Sequence, residues 1–128
     1  MDPGILIIFS LLMKKIRLPQ IMESARKRPL SIDPMTGEFV YYENVANGKQ
    51  KIFPIGKLSP EQLLRLVAER QLSAEEDTTV ILNGRYFSNE QLAREILSQT
   101  EIGMQIYDAD ISYLNFYLSQ FPAESFEQ

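Results

Sequence analysis

Leu58-Ser59-Pro60-Glu61-Gln62-Leu63 and, 29 residues further on, Phe87-Ser88-Asn89-Glu90-Gln91-Leu92 share one grammar. In each, a serine stands where a helix N-cap belongs and the glutamine three residues later closes a capping box. The flanking apolar pair, Leu58 with Leu63 or Phe87 with Leu92, forms a hydrophobic staple. Pro60 brings the φ of a first helical residue, and Glu61 and Glu90 place acid in first turns, where it complements the helix dipole. Helices are therefore expected over about 60–71 and 89–99. The first buries Leu63, Leu64, Val67 and Leu66 or Ala68; the second buries Leu92, Ala93, Ile96 and Leu97. Each start follows an apolar stretch and a Gly-basic pair, Gly56-Lys57 and Gly84-Arg85, so the two read either as a weak internal duplication or as common helix-start chemistry.

Upstream, Asp33-Pro34-Met35-Thr36-Gly37 is turn chemistry, Phe39-Val40-Tyr41-Tyr42 is β-branched and aromatic, and Asn47-Gly48 suits a tight type I′ turn into Gln50-Lys51-Ile52-Phe53. That pattern predicts a β-hairpin over about 38–55. Tyr41-Tyr42-Glu43-Asn44, a polar turn and then Phe53-Pro54 locally resemble the second and third strands of a WW domain. The resemblance ends there and lacks both tryptophans of that family, so it implies an aromatic hairpin without polyproline recognition.

Downstream, Thr79 to Leu82 reads as a short strand turning at Asn83-Gly84 into Arg85 to Phe87, or as a parallel strand of a βαβ unit. Ser73 to Thr79 is an acidic linker with Glu75, Glu76 and Asp77. Gly103 to Tyr107 reads as a further strand, and Asp108-Ala109-Asp110 as the cap of a third helix over about 110–120, stopped by Phe121-Pro122. The expected architecture is α+β: a small sheet containing the 38–55 hairpin, packed by three short helices. The alternative is α/β, with parallel strands near 52, 81 and 105.

Residues 1–30 stand apart from the globular body expected over 31–128. Gly4 to Met13 is the most apolar run of the chain. It is too short to span a bilayer as a helix, which needs about 20 residues, and reads as a buried strand or core-facing segment. Asp2 before it and Lys14-Lys15-Ile16-Arg17 after it reverse the charge order of a secretory signal, and with no cysteine the expectation is a cytoplasmic protein. A second reading lays residues 4–17 on an anionic membrane surface.

The chain has 128 residues and a net charge of −4, which divides into +4 over residues 1–57 and −8 over residues 58–128. It contains no histidine and no cysteine. A Ser-His-Asp triad, a cysteine nucleophile, a thiolate or imidazole zinc site and a histidine pH switch are thereby excluded. No Gly-rich nucleotide loop or nucleophile elbow occurs, and no cofactor is implied.

Three sets of candidate residues remain. The third helix carries more aromatic and aliphatic surface than one buried face accommodates, so Tyr113, Phe116 and Tyr117, joined by Tyr41 and Tyr42 of the hairpin, are candidates for docking a protein partner or a second copy. The basic residues Lys14, Lys15, Arg17, Arg26, Lys27 and Arg28, otherwise a solvated connector, are candidates for nucleic acid or anionic lipid. Asp108 and Asp110, between an expected strand and helix, form a weak candidate for Mg²⁺ and a carboxylate-based enzyme, against their ordinary reading as helix caps. The leading expectation is a non-catalytic interaction or regulatory module.

Overall fold

The computed structural model describes residues 18, 26–74, 80–82 and 84–128, with residues 80–82 described by backbone alone. The apolar run 4–13, Lys14, Lys15, Arg17 and the acidic linker residues 75–77 lie outside the described residues. The architecture is α+β. Strands β1 (Ser31–Ile32) and β2 (Phe39–Val40) lead into helix α1 (Tyr42–Ala46) and a 3₁₀ turn at Ile55–Lys57. Helix α2 (Pro60–Leu72), strands β3 (Val80–Leu82) and β4 (Arg85–Phe87), and helices α3 (Asn89–Leu97) and α4 (Glu101–Leu118) follow, with a last 3₁₀ turn at Ala123–Ser125.

Both helix starts built on serine form as expected. The Ser59 and Ser88 hydroxyls accept from the backbone N–H groups of Gln62 and Gln91, and each glutamine side chain answers the N–H of its serine. The short hairpin around Gly84 also forms, with Val80 opposite Phe87 and Leu82 opposite Arg85 in antiparallel register. Gly84 supplies the turn with a φ of +74°, a left-handed conformation at no steric cost to glycine.

The 38–55 hairpin is corrected. Phe39–Val40 pairs backward, across the Asp33–Gly37 turn, with Ser31–Ile32. The Asp33 carboxylate accepts from the Met35 N–H at 2.8 Å, and its backbone N–H and C=O bond Glu38 and Gly37, which closes the strands locally. Tyr42–Ala46 is helical because Asn47-Gly48 serves as a helix terminus: Gly48, at φ +75°, sends its N–H back to the Val45 carbonyl. The expected return arm makes contact through side chains. The Gln50 amide accepts from the Tyr41 N–H and donates to the Phe39 carbonyl. The Ser31 hydroxyl bonds both the carbonyl and the N–H of Phe53. The WW-like arrangement is therefore absent here. Of the parallel-strand alternative, only an isolated parallel bridge between Ile52 and Phe126 occurs near 52; residues near 81 are antiparallel and those near 105 are helical.

The third helix begins about ten residues earlier than expected, at Glu101, capped by the Thr100 hydroxyl on the Gly103 N–H. Asp108 and Asp110 are mid-helix, not caps. The alternation Ile102, Met104, Ile106 imitates a strand, and Gly103 disfavours a helix in isolation. Tertiary packing overrides both. A side chain at Gly103 would overlap the Glu95 carbonyl, so the glycine lets α4 approach the end of α3 backbone to backbone. Helix α4 then reaches three apolar clusters: Tyr117 and Leu118 join Leu30, Val40, Tyr42, Val45, Ile52 and Phe121; Leu114 joins Ile32, Leu58 and Leu66; Ile106, Tyr107 and Ile111 pack on Val67, Ala68, Ala93 and Ile96. Among the described residues no helix is long and apolar enough to cross a membrane.

Gly103→Ala forces the two helices apart and is expected to cost about 1–3 kcal/mol in a denaturant-melting measurement, as overpacked cores do. An unchanged midpoint would place the α3–α4 approach elsewhere.

Candidate functional site

Helix α4 carries Tyr107, Tyr113, Phe116 and Tyr117, and its phase sorts the candidates. Leu114 and Leu118 are buried, Tyr117 is 7% exposed, and Tyr113 and Phe116 are 49% and 67% exposed. The Tyr117 ring lies 5.9 Å from Tyr113 edge-on and 5.0 Å from Phe121, and Phe121 meets Tyr42 edge-on at 6.3 Å. An aromatic chain thus runs from surface to core, Tyr113 to Tyr117 to Phe121 to Tyr42. Tyr117 and Tyr42 are core residues, and Tyr41 is half-buried. Of the residues proposed from sequence, Tyr113 and Phe116 are the two on the outer face of α4.

Tyr113 also walls a groove of about 300 Å³ between α2, α3 and α4, lined by Gln71, Leu92, Ile106, Ala109, Asp110 and Tyr113. Its surface is mainly carbon. At one wall stands the ion pair that sequence reading missed: Arg70 Nε donates to Asp110 Oδ2 at 2.8 Å and the second guanidinium arm to Oδ1 at 3.2 Å. The remaining arm donates to the Pro29 carbonyl at 2.9 Å, and the guanidinium lies 5.9 Å from the Tyr113 ring centroid. The available signal was Arg70 itself, three residues after Val67 on the apolar stripe of α2.

The basic candidates are partly engaged. Arg26 bonds Glu43 at 3.3 Å and stacks 5.0 Å from the centroid of Tyr42. Arg28 is partly buried, and its pKa is lowered first by that burial and then by Arg70. Residues 26 and 28 are therefore anchored against the body, which corrects the solvated connector for that stretch. Lys27 is exposed. Asp108 and Asp110 do not converge: two residues apart on a helix they point about 200° apart, and Asp110 is held by Arg70. Among the described residues no three acidic side chains are grouped to hold a metal ion.

Tyr117 is chemically odd. Its hydroxyl is buried and has no hydrogen-bond partner among the described residues. Burial, with the neighbouring Tyr42 and Tyr113, pushes its pKa well above the ordinary phenol range, against the smaller opposing pull of Arg26 and Arg70. No protein-family model, curated protein or solved structure matches the chain.

Replacing Arg70 by Met should cost about 3–5 kcal/mol because Asp110 is left buried and charged, whereas Arg70→Met with Asp110→Leu should recover most of that loss; chemical denaturation of the two single variants and the double variant measures it. Tyr117→Phe deletes a buried hydroxyl that has no hydrogen-bond partner among the described residues and should hold or raise stability at pH 7, by up to about 1 kcal/mol. The unfolded phenol ionises near its ordinary value of 10.0 while the folded one keeps its proton, so the unfolded state binds fewer protons above that pH and stability falls as pH rises. Tyr117→Phe should flatten that fall, and an unaltered alkaline melting profile would contradict the assignment.

Proposed function

We propose that this protein is a non-catalytic interaction module that docks a protein partner through the outer face of α4, with Tyr113 and Phe116 as the contact residues. The supporting observation is that α4 holds Leu114, Tyr117 and Leu118 in the core while presenting Phe116 and Tyr113 to solvent on the same rigid helix. A Phe ring left two-thirds exposed gains on the order of 1.5–3 kcal/mol when a partner covers it, and aromatic side chains held by a packed element lose little entropy in doing so. The absence of histidine and cysteine from the sequence supports a binding rather than a catalytic role. Tyr42 enters this reading as the inner end of the aromatic chain, not as a contact.

The test separates surface from core. Tyr113→Ser with Phe116→Ser should leave the melting temperature within about 2 °C of wild type, as surface changes do, and weaken retention of the partner co-purified from the native cell by about 100-fold. Tyr117→Ala, by contrast, should cost about 3–5 kcal/mol of stability. Unchanged partner retention by the Tyr113/Phe116 variant would end the proposal.

A further inference from the structure

Between Ile111 and Phe121 the chain contributes no charged side chain, so the field over the outer face of α4 is set by its neighbours. Among the described residues three guanidinium groups stand along the aromatic chain. Arg70 lies 5.9 Å from the ring centroid of Tyr113, Arg26 lies 5.0 Å from that of Tyr42, and Arg28 acts electrostatically on Tyr113, Arg70 and Asp110. The position of Arg28 follows from the backbone, because it immediately precedes Pro29, whose carbonyl Arg70 holds at 2.9 Å. Two carboxylates answer these three cations. Asp110 is gripped by Arg70 and Glu43 is bonded by Arg26. Among the described residues none gives the half-buried Arg28 guanidinium a hydrogen bond or an ion pair. Burial and the like charge of Arg70 both lower its pKa, a strain on the charged form that an arriving anion offsets. The end of α4 does little to repel such an anion. The carbonyls of Asn115 and Phe116 accept from Ser119, that of Tyr117 from Gln120 and that of Leu118 from Phe121, so the last turn is capped within the chain.

Tyr113 thus borders two unlike surfaces, the carbon-walled groove of Leu92, Ile106 and Ala109 and the cationic edge at Arg28. We propose that the partner of this face is an acidic peptide segment, whose apolar side chains cover Phe116 and Tyr113 and enter the groove while an Asp or Glu carboxylate pairs with Arg28. This rests on reading the face of α4 as a docking surface, and names the chemistry of what docks there. A carboxylate suits one uncompensated guanidinium: the planar fork takes both oxygens and the charges balance one to one. A phosphoryl group or a polyphosphate chain calls for further free cations, and Arg26 and Arg70 are already engaged. The charge of −8 over residues 58–128 also repels an extended polyanion, whereas a short segment meets chiefly the local edge.

The test draws its probes from a displayed library of random peptides, selected on the immobilised full chain and counter-selected on Tyr113→Ser with Phe116→Ser. The recovered peptides should be rich in Asp and Glu beside Leu, Phe or Tyr, and a synthetic copy of the strongest should bind Arg28→Gln about tenfold more weakly than wild type. Arg28→Lys, which keeps the charge and loses the fork, should fall between the two, and it carries the test if Arg28→Gln melts early. Selection on Arg28→Glu should turn the recovered peptides toward Lys and Arg. Peptides that need Tyr113 and Phe116 yet show no acidic excess, or that bind both Arg28 variants unchanged, would overturn the proposal and leave the docking face standing. A library yielding no peptide that depends on Tyr113 and Phe116 would overturn the docking face as well. Single-stranded DNA or phosphatidylserine vesicles that displace the peptide from wild type and fail to bind Arg28→Gln would assign the edge to a polyanion, which also overturns the proposal.

Discussion

The Arg70 guanidinium is the point at which three parts of the chain are tied together. It leaves α2, grips the Asp110 carboxylate of α4 with two arms and holds the Pro29 carbonyl, just before β1, with a third. A buried ion pair adds little net stability over well-packed apolar residues, since removing both charges from water costs several kcal/mol per ion. Once it is built, however, every partner is obligatory, because each remaining member would be an uncompensated charge or unpaired polar group in the interior. The pair therefore constrains where α4 sits along α2, and with it which aromatic residues of α4 face inward.

That constraint explains what could and could not be read from the sequence. The starts of α2 and α3 were legible because a capping box is a local device: Ser59 with Gln62 and Ser88 with Gln91 satisfy their own backbone groups whatever surrounds them. The α+β class followed from the same local signals. Asn47-Gly48 was ambiguous in principle, since a left-handed glycine ends a helix as readily as it turns a hairpin. The true partner of Phe39–Val40 was decided by the tighter Asp33–Gly37 turn. Gly103 was misread because its value is purely tertiary: it looks like a helix breaker until the Glu95 carbonyl is placed against it.

The aromatic excess on the C-terminal helix was legible, its partition was not. Leu114 and Leu118 face inward, and Tyr117 is drawn in beside them by Phe121 and Tyr42, residues 4 positions and 75 positions away in the chain. Tyr113 meets Tyr117 edge-on and stays half exposed, and Phe116 is two-thirds exposed. The Tyr117 hydroxyl, without a hydrogen-bond partner among the described residues, records the priority of ring packing at this position.

The side-chain bridges around the first hairpin have a colloidal consequence. Strand pairs as short as β1 and β2 ordinarily leave open margins, and such margins invite neighbouring polypeptides to add themselves as extra strands. Here the Gln50 amide satisfies the Phe39 carbonyl and the Tyr41 N–H on the outer margin of β2, and the Ser31 hydroxyl satisfies the N–H and carbonyl of Phe53, so these backbone groups are not open to template an amyloid-like stack. A protein protected in this way can tolerate a sticky helical exterior without polymerising through its sheet.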